Sequence, residues 1–135
     1  MSIEQNKMLV RRWIEEAVNQ GKEEVLDEII HPDMINHEGV TPTGGREGFK
    51  ETMAVFRTAI PDQRMEILDL IAEEDKVAVR LTWSGTPTSP FMGRPVNGKP
   101  FTVTHTHIFH VRDGMLYEHW ANRDDLGMWR QIAAE

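Results

Sequence analysis

The sequence predicts an α+β fold in which a curved antiparallel β-sheet wraps around N-terminal helices and a C-terminal helix closes the structure. Apolar residues recur at helical intervals up to residue 60, alternate with polar residues from there to about residue 122, and return to helical spacing near the C-terminus. Helices that cover one face of a strongly bent sheet form a cone. We therefore expect a cavity lined by one alternating set of strand residues.

Composition limits the organisation of the chain and its partners. The 135 residues suit a single domain over 1–135. A formal net charge of −7 without a Lys/Arg cluster argues against a nucleic-acid partner. The sequence contains neither a basic amphipathic helix nor an apolar run of about 20 residues, so we expect no membrane partner. Without cysteine or a signal-peptide pattern, the expected compartment is the cytoplasm.

Two helices are predicted at the N-terminus. The first begins at Ser2, which stands in capping-box spacing with Gln5, and Gly21 ends it. The second covers about residues 22–30. It stops before Pro32, because the residue that precedes a proline is pushed out of the α region.

A brief strand at residues 34–37 and a glycine-rich loop at residues 38–45 lead to a third helix, which Pro61 ends. Asn36 and His37 stand at the end of the brief strand, where we expect the mouth of the cone. Both are therefore candidates for contact with a bound molecule.

Two strands follow at residues 64–72 and 77–84. The segment at residues 85–100 contains three glycines and four prolines, and its length favours a lid or binding loop over a simple connection. Phe56 on the third helix and Trp83 on the second strand have the character of core residues. In a cone, however, core residues also form the wall of the cavity.

The stretch from residue 101 to residue 127 predicts a β-hairpin, which reverses at Asp113-Gly114 and carries four of the six histidines. His105, His107 and Phe109 point to one face of their strand, because strand side chains alternate with period two. If this face lines the cavity, it is the chemical centre of the protein. Two imidazoles on one strand could also chelate a metal, but no acidic residue follows closely enough to complete such a site, so we expect none.

The last helix is predicted over about residues 123–134, with Asn122 as its N-cap. Its apolar residues recur at helical spacing, and we expect these to be buried: Leu126, Trp129 and Ile132.

Three segments carry a resemblance to a known family: HPDMINH at residues 31–37, GGREGF at residues 44–49, and HIFHVRDGMLYEHWANRDDLGMWRQI at residues 107–132. From about residue 6 to residue 132 the chain resembles the SnoaL-like polyketide cyclase family, within the NTF2-like fold group. The resemblance implies an NTF2-like cone with an apolar pocket. It also implies ring closure of a polyketide ester by intramolecular aldol condensation, without metal or organic cofactor.

The same resemblance assigns roles to two positions. The strand histidine of the family pocket corresponds to His107. The family's acid/base aspartate corresponds to Ala121 when the Asp-Gly turns are aligned without a gap. Since alanine cannot transfer a proton, either another residue has taken over this role or the chain has a different function.

The register of the hairpin decides which residues could replace the aspartate. A two-residue turn in register places even-numbered residues on the face of His107: Glu118, Trp120 and Asn122. A three-residue loop with Gly114 in a bulge places odd-numbered residues there: Tyr117, His119 and Ala121. We favour the second register because it brings His107 next to the acid/base position. His119 then becomes the leading substitute base.

Three classes of function fit these patterns. The first is a cofactor-free cyclase, isomerase or hydrolase that acts on a small apolar carbonyl compound, with His107 or His119 as the catalytic base. The second is a non-catalytic binder of small molecules, which Ala121 favours. The third is an assembly or regulatory module. For the first two, the expected contacts with the bound molecule are Asn36, His37, Phe56, Trp83, His105, Phe109 and Ala121.

The outer face of the sheet suggests a further partner. It is predicted to be flat and rich in β-branched residues: Arg80, Thr82, Thr102, Thr104, Thr106 and Ile108. Because such a face is seldom left exposed, we expect a homodimer that forms through it.

Overall fold

The computed structural model describes residues 2–90, 93 and 95–133. It has the predicted α+β architecture, in which a five-stranded curved sheet packs against helices on one side. The elements follow in this order: α1 (Ile3–Arg12) with a π-helical continuation (Trp13–Val18), α2 (Val25–Ile29), β1 (Ile30–Asn36), α3 (Gly45–Ala59), β2 (Arg64–Glu73), β3 (Lys76–Gly85), β4 (Phe101–Arg112), β5 (Met115–Arg123) and α4 (Asp125–Ile132).

The strand order in the sheet is β1-β5-β4-β3-β2. The four long strands β2 to β5 pair antiparallel, as predicted, whereas β1 pairs parallel with β5. Strand β1 is longer than expected and begins at Ile30, so that Pro32 lies within it. This is possible because β1 is an edge strand, where the missing N–H of proline disrupts no inner ladder.

Helix α1 begins with the predicted capping box. The backbone N–H of Gln5 donates to Ser2 Oγ at 3.1 Å, and the N–H of Ser2 donates to Gln5 Oε1 at 2.9 Å. The helix widens into a π-helix at Trp13. Past its end, the Asn19 side chain donates to the carbonyl of Met65 and accepts from its N–H, both at 2.8 Å, which fixes the helix against β2.

The turn between β4 and β5 contains two residues, not the three that we favoured. Arg112 pairs with Met115, and both Asp113 (φ 54°) and Gly114 (φ 73°) have positive φ. This combination is typical of a type I′ turn, whose twist matches that of the flanking strands.

The register of the hairpin changes further along, at Tyr117. His110 pairs with Glu118, but the next residue of β4, Val111, pairs with Leu116, so that Tyr117 is an extra residue in a β-bulge. The predicted bulge therefore exists, at Tyr117 and not at Gly114. Tyr117 itself does not share the face of His107, and its ring packs against that of His31 at 4.9 Å.

Because of the bulge, His107 lies opposite Ala121, and Phe109 lies opposite His119. The favoured face of β5 is thus confirmed for His119 and Ala121, although the turn that we expected to produce it is wrong.

Helix α4 begins later than predicted. Strand β5 continues to Arg123, so that Asn122 pairs with Thr106 in the sheet and does not cap the helix. Asp124 is the N-cap, and its Oδ1 accepts from the N–H of Gly127 at 2.9 Å. The predicted end at residue 134 lies outside the described residues.

The buried side of α4 also differs from the prediction. Ile132 is buried as expected, together with Met128, whereas Leu126 is 61% exposed. Trp129 is only partly buried.

The core lies between the helices and the concave face of the sheet, where Val77, Val79 and Leu81 of β3 are fully buried. The predicted loop at residues 85–100 includes residues 91, 92 and 94, which are outside the described residues. No helix in the described part of the chain is long and apolar enough to cross a membrane.

Candidate functional site

A cavity of about 40 Å³ lies on the concave side of the sheet, between β-strand residues and the helices α1 and α3. Most of the predicted site residues line it: Asn36, Phe56, Trp83, His105, His107, His119 and Ala121. The alternation of β4 and the bulge of β5 together bring the histidines of both strands to this one space.

Two predicted site residues do not line the cavity. Phe109 is fully buried beside it, with its ring 4.4 Å from that of His119, and acts as packing. The side chain of His37 is 42% exposed. It donates from Nε2 to Glu118 Oε2 at 2.8 Å and stacks on Trp120, on the outside of the sheet.

The cavity also contains residues that the sequence did not single out. Trp13 and Gln63 line it together with Arg123, and Glu38 stands on the same wall. Trp13 occupies the first position of the π-helix and makes edge contacts with the rings of His107 at 5.0 Å and His119 at 6.1 Å. Single-turn π-helical segments are frequent at functional sites.

The three cavity histidines form a continuous chain of hydrogen bonds that ends on β1. Asn36 Oδ1 lies 2.8 Å from His119 Nδ1. His119 Nε2 lies 2.8 Å from His107 Nδ1, and His107 Nε2 lies 3.4 Å from His105 Nδ1. The three imidazoles are 3–4% exposed, so they are buried as a group.

The surroundings keep these imidazoles neutral. Burial is the main cause in each case, because it disfavours the charged form. Burial, with Arg123 adding to it, lowers the pKa of His105 to about 4 and that of His119 to about 3. The pKa of His107 is well below its usual value because of burial and the neighbouring His119 and His105.

Three polar atoms of cavity residues are buried without a hydrogen-bond partner in the described part of the chain: Trp13 Nε1, Gln63 Nε2 and His105 Nε2. Buried polar groups in native proteins are nearly always paired. Two unpaired donors and one unpaired imidazole nitrogen therefore mark this cavity as a site for a molecule that carries polar groups of its own.

The residues of the site fit proton transfer better than metal binding. Across residues 2–90, 93 and 95–133, no three His, Asp or Glu side chains come together in a way that could hold a metal ion. Neutral imidazoles accept protons at pH 7, and preorganised N–H donors stabilise the negative charge that develops on an oxygen.

Comparison with known proteins identifies the family. Residues 8–132 match the sequence profile of the SnoaL-like polyketide cyclases. The chain belongs to this family. The match covers every element of the fold except the first turn of α1.

Curated relatives agree with this assignment. The chain is 30% identical over 126 residues to the aklanonic acid methyl ester cyclase AcmA of Streptomyces galilaeus, with 91% of this chain and 87% of AcmA covered. It is 25% identical over 121 residues to the nogalonic acid methyl ester cyclase of Streptomyces nogalater, with 86% and 89% covered.

Solved structures confirm the fold. The chain superimposes on TsrD from Streptomyces laurentii with a TM-score of 0.91 and 29% identity, over 100% of this chain and 99% of TsrD. For IdmH from Streptomyces antibioticus the TM-score is 0.80 with 32% identity, over 94% of this chain and 97% of IdmH.

Position 121, which the sequence resemblance aligned with an acid/base residue, is an alanine in the wall of this cavity. Ala121 lies directly opposite His107 and lines the cavity, and its side chain has no group that can transfer a proton. Any proton transfer in this cavity must therefore depend on other residues.

Proposed function

We propose that the protein is a cofactor-free cyclase that closes a ring in a small polyketide-like ester or other carbonyl compound by histidine-assisted proton transfer. The observation that supports it best is the chain of three buried neutral histidines inside the cavity. The family, and the relatives that are cyclases of aklanonic acid methyl ester and nogalonic acid methyl ester, point in the same direction.

The reaction needs a base that removes a proton next to a carbonyl group and donors that hold the resulting enolate. His107 and His119 belong to the histidine chain that supports proton transfer in this proposal, because their hydrogen bond of 2.8 Å joins the neighbouring strands β4 and β5 in the wall of the cavity. The N–H groups of Trp13 and Gln63 are available to a substrate oxygen.

The substrate must enlarge the cavity when it binds. Pockets for drug-sized molecules typically measure roughly 300–1,000 Å³, far more than the 40 Å³ found here. Met53 and Met65 line the cavity, and their unbranched side chains can turn aside at low cost.

The experiment is a turnover assay on a panel of β-keto methyl esters that carry a second carbonyl group. We expect the parent protein to cyclise at least one of them. His107→Ala breaks the histidine chain on which proton transfer depends, and should lower kcat by up to the usual contribution of general acid/base assistance, roughly 10²- to 10⁴-fold. His110→Ala, on the same strand but outside the cavity, is the control and should keep the parental rate. A parent that binds none of the esters and converts none contradicts the proposal.

A second function is favoured by one observation, the alanine opposite His107. A protein that keeps the cavity but lacks the family carboxylate could bind a small apolar molecule without converting it. Calorimetry separates the two functions, because saturable binding of an ester that is recovered unchanged supports the binder and contradicts the cyclase.

We also propose that the protein forms a homodimer through the outer face of the sheet. In register across β2, β3, β4 and β5, this face carries an apolar row: Ile71, Ala78, Ile108 and Trp120. Ile71 is 65% exposed and Ile108 is 41% exposed. A second copy of the same face would cover this row on both partners.

Light scattering tests the assembly. We expect a dimer at micromolar concentration for the parent and a monomer for Ile108→Glu, because burying the new charge in the interface is unfavourable. Val55→Glu, on an exposed position of α3, is the control and should remain dimeric. A monomeric parent would rule the dimer out.

A further inference from the structure

Asn36 sets the direction of the hydrogen bonds in the histidine chain. Its Oδ1 accepts from the backbone N–H of Glu38 at 3.0 Å, which identifies this atom as the amide oxygen. The same oxygen lies 2.8 Å from His119 Nδ1. Because the oxygen has no proton to give, His119 must carry its hydrogen on Nδ1.

The tautomer of His119 then fixes the tautomers of the other two rings, since a neutral imidazole has one N–H that donates and one lone pair that accepts. Nε2 of His119 accepts from Nδ1–H of His107, and Nε2 of His107 accepts from Nδ1–H of His105. The last nitrogen, His105 Nε2, therefore carries a lone pair and no hydrogen. It is buried and has no partner among the residues that the structure describes.

Two donors of the same cavity complement this lone pair. Gln63 Oε1 accepts from the indole N–H of Trp83 at 3.0 Å, so the amide orientation is fixed and Nε2 remains as a donor. Trp13 Nε1 is the second donor. Both residues are more than nine-tenths buried, with Trp13 2% and Gln63 8% exposed.

We propose that Nε2 of His105 takes the proton from the bound carbonyl compound, while Gln63 and Trp13 hold its carbonyl oxygen. This rests on the proposed cyclase function and names the base that the function requires. His107 and His119 then act as positioning residues, because each has both ring nitrogens engaged in the chain.

The reaction needs no co-reactant, because every proton and electron pair that moves comes from the substrate or from His105. The C–H bond next to the carbonyl breaks, the proton goes to His105 Nε2, and the electron pair forms the C=C bond of an enolate whose charge lies on the oxygen. The enolate carbon then bonds to a second carbonyl carbon of the same molecule. His105 returns the proton to the alkoxide that this step forms.

The charges around His105 act on the protonated state of this base. Arg123 on β5 disfavours the imidazolium, whereas Asp124 at the start of α4 favours it. Glu38 also lines the cavity. His105 is therefore a neutral imidazole in the resting enzyme, with its hydrogen on Nδ1 and a lone pair on Nε2, and a developing enolate provides the negative charge that stabilises the imidazolium during the reaction.

Nitrogen NMR tests the assignment without any substrate. In ¹⁵N-labelled protein at pH 7, we expect His105, His107 and His119 to be Nδ1–H tautomers with a lone pair on Nε2, the opposite of the form that free histidine prefers in water. His119→Gln, which breaks the connection to Asn36, should relax this preference in His107. An Nε2–H tautomer of His105 in the parent overturns the proposal.

Proton abstraction provides the second test, with heptane-2,6-dione as the probe. Uptake of deuterium next to its carbonyl groups in D₂O reports abstraction, and formation of the six-membered ring reports closure. We expect His105→Gln, which keeps a donor for His107, to lower kcat for both by roughly 10²- to 10⁴-fold with KM changed much less. Gln63→Met should lower kcat by roughly 10²- to 10³-fold.

The outcomes separate this inference from the function on which it rests. His110→Gln is the folded control and should match the parent. A parent that neither exchanges nor cyclises the dione, while His105 shows the Nδ1–H form, contradicts the proposed function alone. An active parent whose folded His105→Gln variant is equally active contradicts the assignment of the base alone.

Discussion

Ala121 is the single residue whose replacement says most about the site. Its position opposite His107 means that an aspartate there would place a carboxylate beside the histidine chain. We expect Ala121→Asp to increase turnover of a β-keto methyl ester, by as much as roughly 10²-fold, since it adds an acid/base group to the cavity. Steady-state kinetics on the parent and the variant measure this.

The matched control is Ala121→Asn. The asparagine side chain has the same size as that of aspartate but no group that transfers protons at neutral pH. This variant should leave turnover at or below the parental value. Equal rates for the aspartate and asparagine variants would mean that position 121 is not oriented for proton transfer in this chain.

Single residues also show what sequence reasoning could find in the site. The period of two along β4 was sufficient to place His105 and His107 together, because every strand imposes that alternation. Gln63 and Trp13 carry no such signal. Their importance lies in polar atoms left without partners in the described structure, and this depends on the packing of β2, β3 and the π-helix around them.

At the level of elements, the β4–β5 hairpin shows where prediction stops. The Asp-Gly pair indicated the turn but not its length, and the extra residue that restores the favoured face lies at Tyr117, four residues from Asp113. A bulge depends on the fit of two strands and has no fixed sequence signature. The same limit explains α4, whose start moved because β5 continued to Arg123.

The entry to α3 supplies the element-scale prediction. A side chain on Gly48 would overlap the backbone carbonyl of Thr43, because the loop closes tightly onto the first turn of this helix. We expect Gly48→Ala to lower the free energy of unfolding by about 1–3 kcal/mol. Urea denaturation followed by circular dichroism measures the change.

Gly44 provides the comparison for this variant. A side chain there would meet no atom within 4 Å, and the residue has φ −90° at the N-cap position. Gly44→Ser should therefore be neutral or slightly stabilising, since serine is a good N-cap. If Gly44→Ser were as damaging as Gly48→Ala, conformational freedom of the loop and not the close contact would be the cause.

For the whole molecule, the buried histidines make stability depend on pH. The unfolded chain protonates His105 near the ordinary pKa of 6.5, whereas the folded chain does so only near 4, and His119 follows near 3. The unfolded state thus binds more protons below pH 6.5. Stability is fully present above that pH and is lost as the pH falls towards 4, by up to about 1.4 kcal/mol per pH unit for each histidine.

Urea denaturation at several values between pH 7 and pH 4.5 checks this dependence. His119→Phe should have a shallower slope of unfolding free energy against pH than the parent. Phe109→Leu, which loosens the same core without changing a titratable group, should lower stability equally at each pH and keep the parental slope. Parallel curves for the parent and His119→Phe would contradict a neutral, buried His119.

The indole rings that touch the histidine chain give the protein a built-in optical reporter. Trp13 lies 5.0 Å from His107, and Trp83 lies 5.1 Å from His105, measured between ring centres. Any molecule that enters the cavity, or any proton that charges these imidazoles, changes the surroundings of both fluorophores. Emission intensity should therefore follow ligand entry in real time without a label, whereas Trp120, stacked on His37 outside the sheet, contributes a steady background.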